Sequence, residues 1–171
     1  MTAVDHDPVE AARSIARLDG LTAMRAMIAG EIPPPPIALL LGFELVEVQE
    51  GRVVFAVLPG PEHYNPIGMV HGGLAATLID SATGCAVHTT LPAGTAYTTT
   101  DVQVRFVRPI TRNTGRIECV GQVVHGGRTL ATAEARVTAG DRLLAHGTAS
   151  VLILPSDART GSTAPPASAS G

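Results

Sequence analysis

NPIGMVHGGLAATLID, residues 65–80, reads as a loop that becomes a helix, and it ends on an acid. Between Glu62 and Asp101 the chain carries no Lys and no Arg, and Asp80 is the one carboxylate. Counting 100° per residue from Gly72 and Gly73, Leu74, Leu78, Ala82 and Cys85 form one stripe, with Ile79 and Ala86 at its margin. Asp80 falls on the other side, with Ala76, Thr77, Thr83, Gly84 and Val87. That side is small and nearly uncharged, unlike a solvated helix face. It suits close approach by another backbone, a neighbouring subunit or a ligand.

The flanking segments set the fold class. Upstream, Val9 to Ile28 has apolar residues at helical spacing, weakened at Gly20, and Pro33 to Pro36 ends any helix there. After the short apolar stretch IALLLGF, ELVEVQ and RVVFAVL read as a hairpin about the turn Glu50-Gly51. Downstream the period changes to two. In AYTTTDVQVRFVRP, Val102, Val104 and Phe106 share one face, and Gln103 and Arg105 the other. GRIECVGQVV, TLATAEARVT and RLLAHGTASVLIL are further strands, divided by HGGR and AGDR turns. Antiparallel strands following one apolar helix predict an α+β fold in which a sheet covers that helix. The expected organisation is an N-terminal helical extension over 1–29, one folded domain over 30–155, and a small, polar, disordered tail over 156–171.

The tetrapeptide VHGG recurs at Val124 to Gly127, with Glu134 at the same distance as Asp80 from the first copy. The second copy lies between strands, where Gly126-Gly127 makes a hairpin turn and Glu134, near Arg136, stands on a solvated face. The two copies share letters and a spacing, not a job.

Composition removes several classes of function. With 45% hydrophobic and 16% charged residues among 171, the chain is globular material for one domain. A net charge of −3, no basic block and 3% aromatics argue against a nucleic-acid partner. Cys85 and Cys119 are too few and too far apart for a disulfide framework and read as core thiols. The start MTAVDHDPVE lacks a secretory pattern, and no apolar run reaches the ~20 residues of a membrane span. A cytoplasmic protein without membrane contact is the expectation.

The chemistry centres on the helix. Asp80 is either a general base or nucleophile in a crevice, or a structural carboxylate bonded to a neighbouring strand, Arg105 or Arg108. The first N–H groups of a helix have no internal partners and carry the positive end of its dipole. At Gly72 and Gly73 a carbonyl oxygen could approach those donors closely, as an oxyanion requires. Asn65 could offer its amide to the same carbonyl or to water. His71 is a base, or else a capping or packing group. His63, His71, Asp80 and His88 lack any recognised metal spacing, so no metal is expected.

These residues together resemble a known family. Asn65-x-x-Gly68-x-x-His71-Gly72-Gly73, followed by Asp80, is similar to the hotdog-fold acyl-CoA thioesterases of the phenylacetate-pathway (PaaI-like) type. The resemblance runs from about Gly30 to Leu154. It implies a curved antiparallel sheet wrapped around one long helix, a dimer commonly doubled to a tetramer, and an active site at the dimer interface. It implies that Asp80 acts on the thioester as base or nucleophile, that the Gly72 amide polarises the carbonyl, and that Asn65 holds the acyl group or the water. A hydroxyl on the next strand assists; Thr99 matches it, although Thr98, Thr99 and Thr100 are consecutive. His71, Gly73 and Phe106 join the substrate side. For the phosphates of CoA, the available donors are Arg108, Arg112 and the turn Gly126-Gly127-Arg128, where Arg128 can equally be an exposed hairpin residue. No cofactor is implied, since CoA is part of the substrate. A hydratase or dehydratase of this fold would need a different loop pattern, and a non-enzymatic acyl-CoA binding module would share the scaffold. The acyl group stays open among aryl-acetyl, benzoyl-like and medium-chain forms, with Ile37, Leu41, Met69 and Leu78 expected to shape its pocket.

Overall fold

The computed structural model describes residues 8–154. Its elements are α1 (Pro8–Ile15), α2 (Gly20–Ile28), α3 (Pro36–Leu41), β1 (Glu44–Gln49), β2 (Arg52–Val57), α4 (Gly72–His88), β3 (Ala96–Phe106), β4 (Ile117–Gly126), β5 (Leu130–Ala139) and β6 (Arg142–Leu154). The strands form one antiparallel sheet of six in the order β1-β2-β4-β5-β6-β3, curved around α4. This is the expected α+β arrangement.

The alternation in each strand now has a direction. In β5 the buried positions are Ala131, Ala133, Ala135, Val137 and Ala139, all small enough to let the sheet close on the helix. On α4, Leu78 and Ile79 are fully buried, each contributing about 1.5–3 kcal/mol of transfer free energy. The helix backbone touches the sheet at Gly121 of β4, where any Cβ would strike the Ala82 carbonyl. Cys119, on the same strand, donates its thiol to the Leu78 carbonyl at 3.4 Å, and Cys119 is the buried core thiol expected.

The sheet wraps further than a helical wheel predicts. Thr83, Gly84 and Val87, expected on the open side with Asp80, are buried: the sheet reaches round the helix, and Val87 packs with Ala131 and Ala133 of β5 and Val151 of β6. Tyr97 and Thr99 of β3 lie against Gly84. What stays open is a narrower strip through Ala76, Thr77, Asp80 and Ser81. Strand β3 is an edge of the sheet, eleven residues long, with its register shifting between Thr99 and Asp101.

The amino-terminal helical stretch is two helices rather than one interrupted at Gly20. Asp19 ends the continuity by capping α2, its carboxylate accepting the Thr22 N–H at 2.9 Å. Gly20 is then the contact point: its N–H donates to the Leu91 carbonyl at 3.0 Å, and it packs against the His88 carbonyl with no room for a Cβ. IALLLGF, expected only as an apolar stretch, folds into the short helix α3, with Pro36 in its first turn and Gly42 closing it at φ 64°. The tail at 156–171 and the first seven residues of the extension lie outside the described residues. Among the described residues no helix is long and apolar enough to cross a membrane.

Candidate active site

The loop before α4 is held by two side chains. His63 is buried; its Nδ1 accepts the Gly60 N–H at 2.9 Å and its Nε2 lies 3.0 Å from the Leu41 carbonyl. Held through both ring nitrogens, His63 is a spacer between the two loops. Asn65 accepts the Ile67 N–H at 3.2 Å and the Met69 N–H at 3.1 Å with its Oδ1. Those bonds fix which end of the amide is oxygen. The Nδ2 donors are left for the crevice that Asn65 borders.

His71 is the N-cap of α4, its Nδ1 accepting the Gly73 N–H at 2.8 Å. Of the two readings for His71, capping is the one its contacts describe. The cap also removes Gly73 as an oxyanion donor, since its N–H is engaged within the chain. The Gly72 N–H has no acceptor among the described residues. It borders, together with Asn65, a crevice of about 450 Å³ whose other walls include Met69, Phe106, Arg108 and Leu144. The ring of Phe106 lies over Gly72, where a Cβ would come within 2.9 Å of it. The missing side chain therefore makes room for a ring as well as for a carbonyl. Arg108 donates through Nη1 to the Leu143 carbonyl at 2.7 Å, which holds its guanidinium at the crevice wall.

Asp80 lies elsewhere. It is exposed in the single chain, and although its backbone carbonyl accepts the Thr83 hydroxyl at 3.1 Å, its carboxylate makes no hydrogen bond or ion pair among the described residues. The expected structural alternative, a pairing with Arg105 or Arg108, is absent there. A cavity of about 190 Å³ opens beside it, lined in part by Thr99, Tyr97, Phe43, Phe55 and Met27. Of the three threonines, Thr99 faces this cavity. Thr98 and Thr100 are exposed, and the Thr100 hydroxyl donates to the Ser150 carbonyl at 3.1 Å. Burial pushes the Cys85 thiol up to about 11; a hydrogen bond with Tyr97 opposes this, and the Asp80 charge adds to it. Burial, then Cys85 and Asp80, also hold the Tyr97 phenol well above its ordinary value. Both stay protonated near neutrality, so neither competes with Asp80 as a nucleophile.

The expected site residues thus fall into three places. Asn65, Gly72, Phe106 and Arg108 gather at the start of α4, with His71 and Gly73 beside them around a second cavity that also includes Leu41. Asp80 is eight residues up the helix from Gly72, about 12 Å along its axis. The turn Gly126-Gly127-Arg128 is at the far end of the sheet: Leu130 pairs with Leu152, whereas Phe106 pairs with Ala145. Seven residues of extended β6 separate those two points, about 24 Å. His71 and His88 stand at opposite ends of α4, and His88 packs its ring against Tyr97 at 5.1 Å, so the histidines do not converge with Asp80. Among the described residues no three metal-ligating side chains cluster. Of the residues expected to shape the acyl pocket, Met69 lines the crevice and Ile37 the Asp80 cavity, but Leu78 is core. Tyr97 and Met27 are additions. Tyr97 could have been found, because it alternates with Thr99 on one face of β3.

The thioesterase superfamily description matches residues 67–146, from the loop into the first part of β6. Human acyl-coenzyme A thioesterase 13 is 31% identical over 105 residues, which are 60% of this chain and 74% of that one. The chain belongs to the thioesterase superfamily. An esterase-named protein of Halobacterium salinarum is 43% identical over 72 residues, 41% of this chain; the chain spans only 46% of that relative's length. The phenylacetic acid degradation protein PaaI of Thermus thermophilus superposes with a TM-score of 0.64 at 28% identity, covering 70% of this chain and 99% of that one. The wrapped helix is therefore a PaaI-like hotdog fold, and the superfamily places the chain among thioester hydrolases.

Proposed function

We propose that the protein hydrolyses acyl-CoA thioesters at a site shared by two copies of the chain. The observation that carries this is the separation of complementary chemistry on one helix. Two donors, the Gly72 N–H and the Asn65 amide, face one crevice, and an unpaired carboxylate stands about 12 Å further along the helix. A single thioester carbon cannot reach both within one chain. Edge strand β3 offers its free backbone to a second copy, and a twofold axis there brings the start of one α4 towards Asp80 of the other. Exposed Val124 and Leu130 supply apolar surface for doubling that dimer to a tetramer.

In the reaction the thioester oxygen accepts from Gly72 and Asn65 as negative charge grows on it. Asp80 takes a proton from water while the water oxygen attacks the carbonyl carbon. Alternatively, its carboxylate attacks and water cleaves the resulting anhydride. The carbon–sulfur bond breaks, the sulfur takes up the proton, and free acid and CoA leave. Thr99 is placed to hold the water or the carboxylate. Arg108 meets the phosphates of CoA.

The test is complementation. Asn65→Asp and Asp80→Asn chains, each inactive alone, are mixed and refolded with a panel of acyl-CoA esters. A shared site gives mixed dimers one intact site of two, and random pairing restores about a quarter of wild-type turnover. Recovery that stays at the level of the separate variants refutes a shared site. An unmodified protein that releases no CoA from any ester refutes the activity.

A further inference from the structure

We infer that the cavity beside Asp80 is the end of the acyl site, and that Met27 of α2 limits the acyl group to about one six-membered ring or an equally short aliphatic chain. This rests on the thioesterase reading above and adds a substrate class to it. Of the two spaces that hold candidate catalytic groups, the larger carries Arg108 and the amide donors, which suit the thioester and the phosphates. The smaller is walled by apolar side chains apart from its rim of Asp80, Ser81, Thr99 and Tyr97. Its volume, about 190 Å³, is close to the ~150 Å³ of an apolar protein cavity that accepts benzene.

The walls differ in how firmly they are held. Phe43 and Phe55 are each 4% exposed and meet edge to face, with centroids 5.5 Å apart at 82°. That side cannot yield without opening the core. A further part of the wall comes from α2 and the start of α3: Met27, with Pro35 and Ile37. Helix α2 presents Gly20, Ala23 and Met24 inward, and Met27 continues that stripe at the next helical step. Gly20, seated on the His88 carbonyl, fixes the distance of α2 from α4 and so the depth at which Met27 closes the cavity. Met27 is half-buried, and its flexible thioether is the wall that can be shortened at least cost to the fold. The superfamily match starts at residue 67, so none of this wall is part of it.

The experiment measures binding of the non-hydrolysable thioethers S-hexyl-CoA and S-decyl-CoA by calorimetry, alongside turnover of hexanoyl-CoA and decanoyl-CoA. Wild type should prefer the hexyl ligand by about tenfold or more, since one misfitted methylene is worth roughly 10–200-fold. Met27→Ala should raise the decyl-to-hexyl ratio at least about tenfold by the same measure. Met27→Leu, similar in volume, should keep the wild-type ratio. A ratio unmoved by Met27→Ala, or a wild-type preference for the decyl chain, overturns the inference. If turnover occurs without any shift in length preference, the pocket assignment fails and the thioesterase reading stands. If the thioethers sort by length and respond to Met27→Ala but no ester is hydrolysed, the pocket stands and the activity falls.

Discussion

Asp80→Asn exchanges one carboxylate oxygen for an amide at a helix position that is open in the single chain. The side chain keeps its size and one acceptor, and loses the ability to take a proton or attack a carbonyl. A positioned base is worth about 10²–10⁴ in rate, so turnover should fall at least ~10²-fold, equivalent to about 2.7 kcal/mol of barrier. Stability should barely move. The Asp80 carboxylate has no hydrogen bond or ion pair to lose among the described residues, and a surface substitution of that kind stays within about 0.5 kcal/mol. For a chain of this size that is roughly 1–2 °C in melting temperature. The charge is also felt inside: without Asp80, the Cys85 thiol should titrate lower than the wild-type value of about 11. The assay is CoA release at saturating acyl-CoA, with melting temperature and light-scattering mass taken on the same sample. Turnover within a few-fold of wild type refutes the catalytic role. A loss of turnover that follows a fall in melting temperature or in oligomer mass refutes it too, by making Asp80 structural.

Further outcomes follow from single contacts. Asn65→Asp keeps the acceptor for the Ile67 and Met69 N–H groups but removes the Nδ2 donor; turnover should drop about 10²–10³-fold with the melting temperature little changed, and normal turnover would leave Asn65 only a loop-former. Gly72→Ala puts a methyl within 2.9 Å of the Phe106 ring, which is 61% exposed and can swing away; the fold should persist while turnover falls, and adding Phe106→Ala should recover part of it. With thiols pushed up to about 11 at Cys85 and about 12 at Cys119 from ordinary values near 9, the folded state holds protons that the unfolded state releases, so this stabilisation is complete below about pH 9 and is lost as pH rises through 11. Melting curves between pH 8 and about 10.5 should show that decline, Cys85→Ala should lessen its slope while Cys119 keeps the rest, and an unchanged melting temperature across the window would refute it.

How much of this was legible in the sequence depends on what each feature needs. The strands were, because alternation and two-residue turn chemistry are local, and AGDR and HGGR sit where the hairpins close. The long helix was too, since only a central element can be that apolar around its circumference. Asp19 was not recognised as a cap, because an acid before a glycine in a helical pattern reads equally as mid-helix; what decides it is Gly20 meeting the His88 carbonyl 68 residues later. The burial of Thr83, Gly84 and Val87 depends on how far the whole sheet curves, which no window of residues encodes. Met27 escaped for the same reason: it reaches the cavity beside Asp80 only through tertiary packing.

The spacing of Gly72 and Asp80 holds more than a motif match draws from it. Eight residues are a little over two turns, so the carboxylate is rotated about 80° and raised about 12 Å from the free amide. A reacting carbonyl has its oxyanion donors and its nucleophile within about 3 Å of it. The two groups can serve one carbon only if they come from different helices, and among the described residues there is one helix of this kind. A helix can therefore carry both halves of a site and be unable to use them alone. In the proposed dimer, the small side chains beside Asp80, Ala76 and Thr77, keep that strip of helix low enough for a second chain to bring its own Gly72 within reach.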